Sequence, residues 1–275
     1  MSADCTYISD RSIPHACKVG SEDGLQPALE ADALTLYWEH MEVVRNASLK
    51  VLPGELVCII GRSGCGKTTL LHALAGLTQP TSGRVLVQGR DCTAHPGNVS
   101  YMLQKDLLIP SKTVIDNASL PLVIAGFKPK EARRQMADLF CKFGLEGYED
   151  KWPSQLSGGM RQRAAFLRTY MMGNQVVLLD EPFSALDAIT RVEMREWYRS
   201  VAREFNLASL VITHDVDEAI ALADRVYVLA APKNAKKSSE SSSICFELVI
   251  ERSCDMGFEL TPEFLSYKAQ LLAQL

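Results

Sequence analysis

The sequence carries no surplus of either charge: 29 basic against 33 acidic residues leave a formal net charge of -4 over 275 residues. Nucleic acid and anionic membrane surfaces are recognised by clustered positive charge, so neither is an expected partner. There is also no apolar run approaching the roughly 18 residues that a bilayer span requires. Met1 to Gly20 is interrupted by Asp4, Asp10, Arg11, His15 and Lys18, which excludes the apolar stretch of a secretory signal there. The eight cysteines, Cys5, Cys17, Cys58, Cys65, Cys92, Cys141, Cys245 and Cys254, form no CxxC pair, so a close-spaced zinc or redox motif is absent. Their scatter points to a reducing compartment. No internal repeat is found. What is present, a 47% hydrophobic composition, suits a packed cytosolic globule whose membrane link comes through a partner.

Residues 1 to about 30 mix Ser, Asp, Pro and Gly without a period and read as a poorly ordered extension, with the fold starting near Ala31. Strands are expected over Ala33–Trp38, Val43–Val51, Glu55–Ile60, Gly83–Gln88 and Asn98–Leu103, and a helix over Lys67–Ala75. Helical spacing then covers Thr113–Gly126, Lys130–Phe143 and Ser157–Met172. The apolar run Val176–Leu179 is a buried strand, and strands and helices alternate through Val228, which implies a mainly parallel sheet covered by helices. Lys233–Ser243 is a polar, low-complexity loop expected to be mobile, followed by a strand Cys245–Ile250 and a helix Pro262–Ala273.

Gly61-Arg62-Ser63-Gly64-Cys65-Gly66-Lys67-Thr68 fits GxxxxGK[ST] between an apolar strand and a helix. Glycines allow the backbone to curl so that successive N–H groups, aided by the positive end of the helix, face a phosphate. In this pattern Lys67 adds a point charge at the β and γ phosphates, the Thr68 hydroxyl can ligate Mg²⁺, and Thr69 closes the loop. An alkylated Cys65 is expected to obstruct nucleotide by its bulk.

Val176 to Leu179 runs into Asp180 and Glu181, two carboxylates at the end of a strand that is expected to neighbour the loop strand and so bring them to the metal. Asp180 suits Mg²⁺ through water, and Glu181, one residue further, suits the general base that polarises the attacking water.

Leu156-Ser157-Gly158-Gly159-Met160-Arg161-Gln162-Arg163 resembles the signature of the ATP-binding cassette (ABC) ATPases. Glycines at the head of a helix make a second anion site. The resemblance, extending over about Ala31 to Ala231, implies a P-loop NTPase (RecA-like) α/β core, a small antiparallel β subdomain and an inserted helical subdomain at about 105–165. The ATPase domain would cover 31–232, with residues 233–275 as a loop, short strand and helix. It further implies ATP and Mg²⁺ as ligands and a head-to-tail dimer, in which Ser157, Gly158 and Gly159 of one subunit meet the γ-phosphate held by the other. Trp38, with Tyr37 as second choice, falls where an aromatic stacks on adenine. Gln104 falls where a glutamine reaches the metal and the attacking water. Asp187 falls in the interface-crossing loop Ser184-Ala185-Leu186-Asp187, and His214 at the switch histidine that contacts the γ-phosphate and orients Glu181. Met160 departs from the commonest signature, which has Gln, and is familiar among importers of nitrate, taurine, sulfonates and thiamine precursors.

By the same resemblance the partners are a second ATPase subunit, an integral membrane permease and, indirectly, an extracytoplasmic solute-binding protein, at the cytoplasmic face of the inner or plasma membrane. A soluble ABC ATPase acting on nucleic acid or ribosomes is the alternative. Repair members of that kind carry a long coiled coil within the cassette and translation members carry two cassettes, whereas this chain has one cassette and little room between Gln104 and Ser157. A P-loop kinase or GTPase leaves Ser157 to Gly159 unexplained, and the chain has no NKxD guanine motif.

Overall fold

The structure, a computed structural model, describes residues 25–231, 241–252 and 257–275. Most of the expected N-terminal extension and of the polar stretch Lys233–Ser243 lies outside the described residues. At their edges two boundaries move: Leu29 and Glu30 already belong to the first strand, and Ser243 begins the last one.

A four-stranded antiparallel sheet is formed by β1 (Leu29–Trp38), β2 (Met41–Val51), β4 (Ser82–Val87) and β5 (Arg90–Asp91), in the order β2-β1-β4-β5. The larger sheet contains β3 (Leu56–Ile60), β6 (Ser100–Met102), β7 (Val176–Asp180), β8 (Ala208–Thr213), β9 (Arg225–Ala230) and β10 (Ser243–Val249). Its order is β10-β9-β3-β8-β7-β6, parallel except for the antiparallel edge strand β10. The acidic strand β7 is therefore not the neighbour of the loop strand β3 that the sequence suggests: β8 is inserted between them and pairs with both. Strand β3 is central and reads Leu-Val-Cys-Ile-Ile, every residue buried, as a strand covered on both faces must be.

Side-chain alternation along β3 separates two cores. Val57 and Ile59 face the antiparallel sheet and helix α1 (Lys67–Leu74), while Leu56, Cys58 and Ile60 face the layer of helices on the other side. That layer includes α6 (Gly158–Tyr170), α7 (Ala188–Glu204), α8 (Val216–Leu222) and α9 (Pro262–Leu272).

Between β6 and α6 the chain is helical, as its apolar spacing predicts, but in shorter pieces. The helix expected over Thr113–Gly126 divides into α2 (Val114–Ala118) and α3 (Leu120–Ile124). Pro121 has no N–H to give to the preceding turn, so the backbone bonds of α2 cannot run through it. The helix expected over Lys130–Phe143 likewise divides into α4 (Pro129–Arg134) and α5 (Ala137–Lys142). Here the Met136 amide reaches back only to the Arg133 carbonyl, and the tightened turn accompanies full burial of Met136 and Phe140. Asp116 and Arg133 tie α2 to α4 by a two-point ion pair of 2.9 and 2.8 Å.

The registers align the carboxyl ends of the parallel strands. Ile60 is level with Thr213, Asp180 with Ile212, and Met102 with Leu179. Gly61, Glu181, His214 and Gln104 follow these ends closely, so one edge of the sheet collects them. Open parallel sheets bind ligands at that edge.

Candidate functional site

Immediately after β3 the chain turns through Gly61–Gly66 into α1. A Cβ at Gly61 would sit 2.3 Å from the Leu229 carbonyl oxygen and 2.7 Å from the Cys65 sulfur, so only glycine fits there. Gly66 caps α1 at φ 96°, a left-handed conformation, with Val44 close against it. Lys67 is buried, and its Nζ donates to the carbonyls of Gly61 at 2.8 Å and Arg62 at 3.0 Å. The ammonium is thus held by the loop that leads into α1, where its charge adds to the pull of a helix N-terminus on an anion. The Cys65 sulfur is 3.9 Å from Lys67 Nζ, and burial pushes the thiol pKa up against the opposing pull of that charge.

At the end of β7, Asp180 is buried beside the Thr68 hydroxyl, and Tyr101 Oη approaches it at 3.5 Å. Burial raises its carboxyl pKa above the ordinary value, with the Glu181 charge adding to the rise. A hydroxyl beside a carboxylate is a suitable pair of oxygen donors for a hard cation. Among the described residues no group of three or more His, Cys, Asp or Glu could hold a metal alone. This donor set therefore fits Mg²⁺ shared with phosphate oxygens, the usual arrangement for that ion.

Glu181 departs from strand geometry, with φ 43°, while its amide still donates to the Ile212 carbonyl at 3.0 Å. A left-handed non-glycine residue is held there by its surroundings at a cost of about 1 kcal/mol, and such residues concentrate at functional sites. The carboxylate is gripped from both sides. Gln104 Nε2 donates to Oε2 at 3.1 Å, and His214 Nδ1 lies 3.1 Å from Oε1. Gln104, expected at the metal, is thus joined to Glu181, and its amide also lies 3.5 Å from the Ser184 hydroxyl. A cleft of about 470 Å³ is lined by Gly61, Arg62, Ser63, Glu181, His214 and Leu275. Phosphate loop, carboxylate and histidine therefore share one opening.

The remaining sequence-derived residues stand apart from that cleft. Ser157 caps α6, its hydroxyl accepting the Met160 amide at 3.3 Å. Gly158 packs toward Leu186 and Gly159 is buried against Thr190 and Met194 of α7. Asp187 caps α7 by accepting the Thr190 amide at 3.0 Å, which lowers its carboxyl pKa. Trp38 ends β1 with 63% of its surface exposed, an open aromatic face and not a core position.

Sequence reasoning passed over three residues that brace the site. Gln162 is buried on α6 and its amide donates to the Pro182 carbonyl directly after Glu181. Arg168 donates to the carbonyls of Asp106 at 2.5 Å and Leu107 at 2.8 Å, holding the turn after Gln104 against the same helix. Arg191 donates to the Leu186 carbonyl at 2.9 Å. Gln162 could have been found as a polar residue on the buried face of a helix; the other two carry no pattern of their own.

Residues 44–184 match the family model described as ABC transporter. The chain is 41% identical over 192 residues to the formylaminopyrimidine import ATP-binding protein ThiZ of Halalkalibacterium halodurans, covering 70% of this chain and 75% of that protein. It is also 41% identical over 205 residues to the aliphatic sulfonates import ATP-binding protein SsuB of Cupriavidus necator, covering 74% of this chain and 66% of that protein. Among solved structures, the dimeric structure of a bacterial ABC transporter cassette shares the fold with a TM-score of 0.67 at 24% identity, over 81% of this chain and 99% of that one. The matched segment contains the phosphate loop, the Ser157–Gly159 turn and the Asp180–Glu181 pair, and the chain belongs to the ABC transporter family as an ATP-binding subunit with ATPase chemistry.

Proposed function

We propose that this chain energises an ABC importer for a small solute, hydrolysing ATP as a head-to-tail dimer beneath a separate permease. The observation that carries the reading is the Glu181 carboxylate, held by Gln104 and His214 in the cleft that the phosphate loop opens into.

In this reading the amides of Gly61–Thr69 and the Lys67 ammonium bind the phosphates, and Trp38 stacks on the adenine. Thr68 and Asp180, with Gln104 as a further candidate, would hold Mg²⁺, which when bound neutralises charge on the β and γ phosphates. Glu181 takes the proton of the attacking water at its carboxylate, and His214 and Gln104 fix where that carboxylate points. Ser157, Gly158 and Gly159 head a helix of 13 residues, so the same turn on a second subunit can offer its amides to the exposed phosphate. Asp187 lies in the loop that would cross between subunits.

The domain reading follows the same lines: an ATPase domain over 31–232, a helical subdomain over about 105–165 that receives the permease near Gln104, and a C-terminal piece over 233–275. Among the described residues no helix is long and apolar enough to cross a membrane, so residence at the cytoplasmic membrane face depends on the permease. Two relatives at the same 41% identity are named for different cargo, sulfonates and a formylaminopyrimidine. Another relative, at 43% identity, is named for Fe(3+) ions, so the relatives agree on import and not on cargo. The reading is a small solute such as nitrate, taurine, a sulfonate or a thiamine precursor, delivered by a solute-binding protein.

The test is ATP-dependent association. The Glu181→Gln chain, given ATP, should run as a dimer on gel filtration and should co-purify with a membrane permease. Persistent monomers with undiminished hydrolysis, or co-purification with ribosomes or nucleic acid, would overturn the proposal.

A further inference from the structure

Behind Glu181 lies a cavity of about 30 Å³ bounded by Ser184, His214, Asp215, Glu218 and Arg191. Its walls form a closed chain of contacts. Ser184 Oγ donates to the Glu181 carbonyl at 2.9 Å, and Leu186, two residues further on, accepts from Arg191 Nη2 at 2.9 Å. The other arm of the guanidinium, Nη1, lies 3.7 Å from Asp215 Oδ2. Asp215 is next to His214, and its Oδ1 is occupied in capping α8 through the amides of Asp217 and Glu218, at 2.9 and 3.2 Å. His214 returns the chain to Glu181 at 3.1 Å.

We infer that Arg191 is a positioning residue that couples the Ser184–Asp187 loop to the His214 turn, so that contact made by a second subunit at Asp187 is passed to the histidine gripping Glu181. The inference rests on the dimeric ATPase reading above. The two arms of a planar guanidinium reach a carbonyl on one loop and a carboxylate on another at once in a fixed geometry, which a single ammonium reproduces only in part. Both targets are fixed to rigid neighbours: Leu186 leads into α7, and Asp215 is locked at the head of α8. A displacement of one loop therefore drags the other through the arginine.

Arg191→Ala and Arg191→Lys, compared with the unaltered chain, test this by amide exchange, nucleotide affinity and steady-state hydrolysis. In Arg191→Ala, exchange should rise about tenfold or more at residues 184–187 and 213–216 together, leaving the phosphate loop unchanged. ATP affinity should stay within about twofold while kcat falls about 10- to 100-fold, the scale set by an ångström-sized misplacement of catalytic groups. Arg191→Lys should recover part of the rate. Faster exchange in one loop only, or a joint loss of affinity and kcat that lysine does not relieve, overturns the role. Hydrolysis by unaltered monomers would instead defeat the dimer reading, and the exchange comparison would still decide whether Arg191 links the loops.

Discussion

His214 Nδ1 lies 3.1 Å from Glu181 Oε1, so the ring at the end of β8 fixes a carboxylate that its own strand, β7, leaves in a left-handed turn. If the ring acts by orientation, removing it and removing the carboxylate should differ in degree. Glu181→Gln should lower kcat at least about 100-fold and His214→Ala about tenfold or more, each with ATP binding retained. Phosphate release and equilibrium binding measured on the same samples separate these outcomes. Loss of binding in either variant would assign the residue to the phosphates.

Lys67 donates to two loop carbonyls from a buried position. Lys67→Ala removes both the phosphate charge and the struts of the loop. A charge-assisted hydrogen bond contributes about 1.5–3 kcal/mol, so ATP affinity should fall about 10- to 150-fold. Calorimetric titration reads this, and unchanged affinity would refute the placement of phosphate above this lysine.

Cys65 faces into the loop toward Gly61 and Lys67, and burial raises its thiol pKa. Because the thiolate is the reactive form, alkylation should be slower than for a free thiol at neutral pH and should accelerate as pH rises. Bound ATP should slow it further, and the modified chain should lose nucleotide affinity. Mass spectrometry of the Cys65 peptide with and without ATP follows the reaction; retained affinity after full modification would contradict the prediction.

Glu218 is buried beside the Thr213 hydroxyl, and burial raises its carboxyl pKa, with the Asp215 charge adding to it. A raised folded-state pKa means that the native chain holds this proton more tightly than the unfolded chain. Its contribution is therefore fully present below the unfolded value and is lost as pH rises through the folded one. Glu218→Gln should remove that part of the pH dependence, so its melting temperature should gain on the parent between pH 4 and pH 7. Parallel melting curves across this range provide the measurement, and identical pH profiles would exclude an ionising Glu218.

The elements with strong local signals were legible in advance. Strand β3, the turn into α1 and the apolar run of β7 depend on contiguous residues whose period and glycine placement are written in order. The helical middle was legible in type but not in its breaks: Pro121 and the turn at Met136 divide it to let side chains reach the core. Gln104 shows the limit most sharply. Its position at the end of β6 could be anticipated, but its partner could not, because Glu181 is 77 residues away and meets it only through the register of β6 with β7.

The sequence by itself determined that a phosphate-loop motif lies between a buried strand and a helix, and that the chain resembles the ABC ATPases at their signature, since both are short motifs whose backbone demands are local. Only the tertiary structure decided that Glu181 is held between Gln104 and His214, and that Arg191 spans two loops. Those contacts join residues far apart in the chain, and the parallel registers of β6, β7, β3 and β8 create the common edge at which they meet.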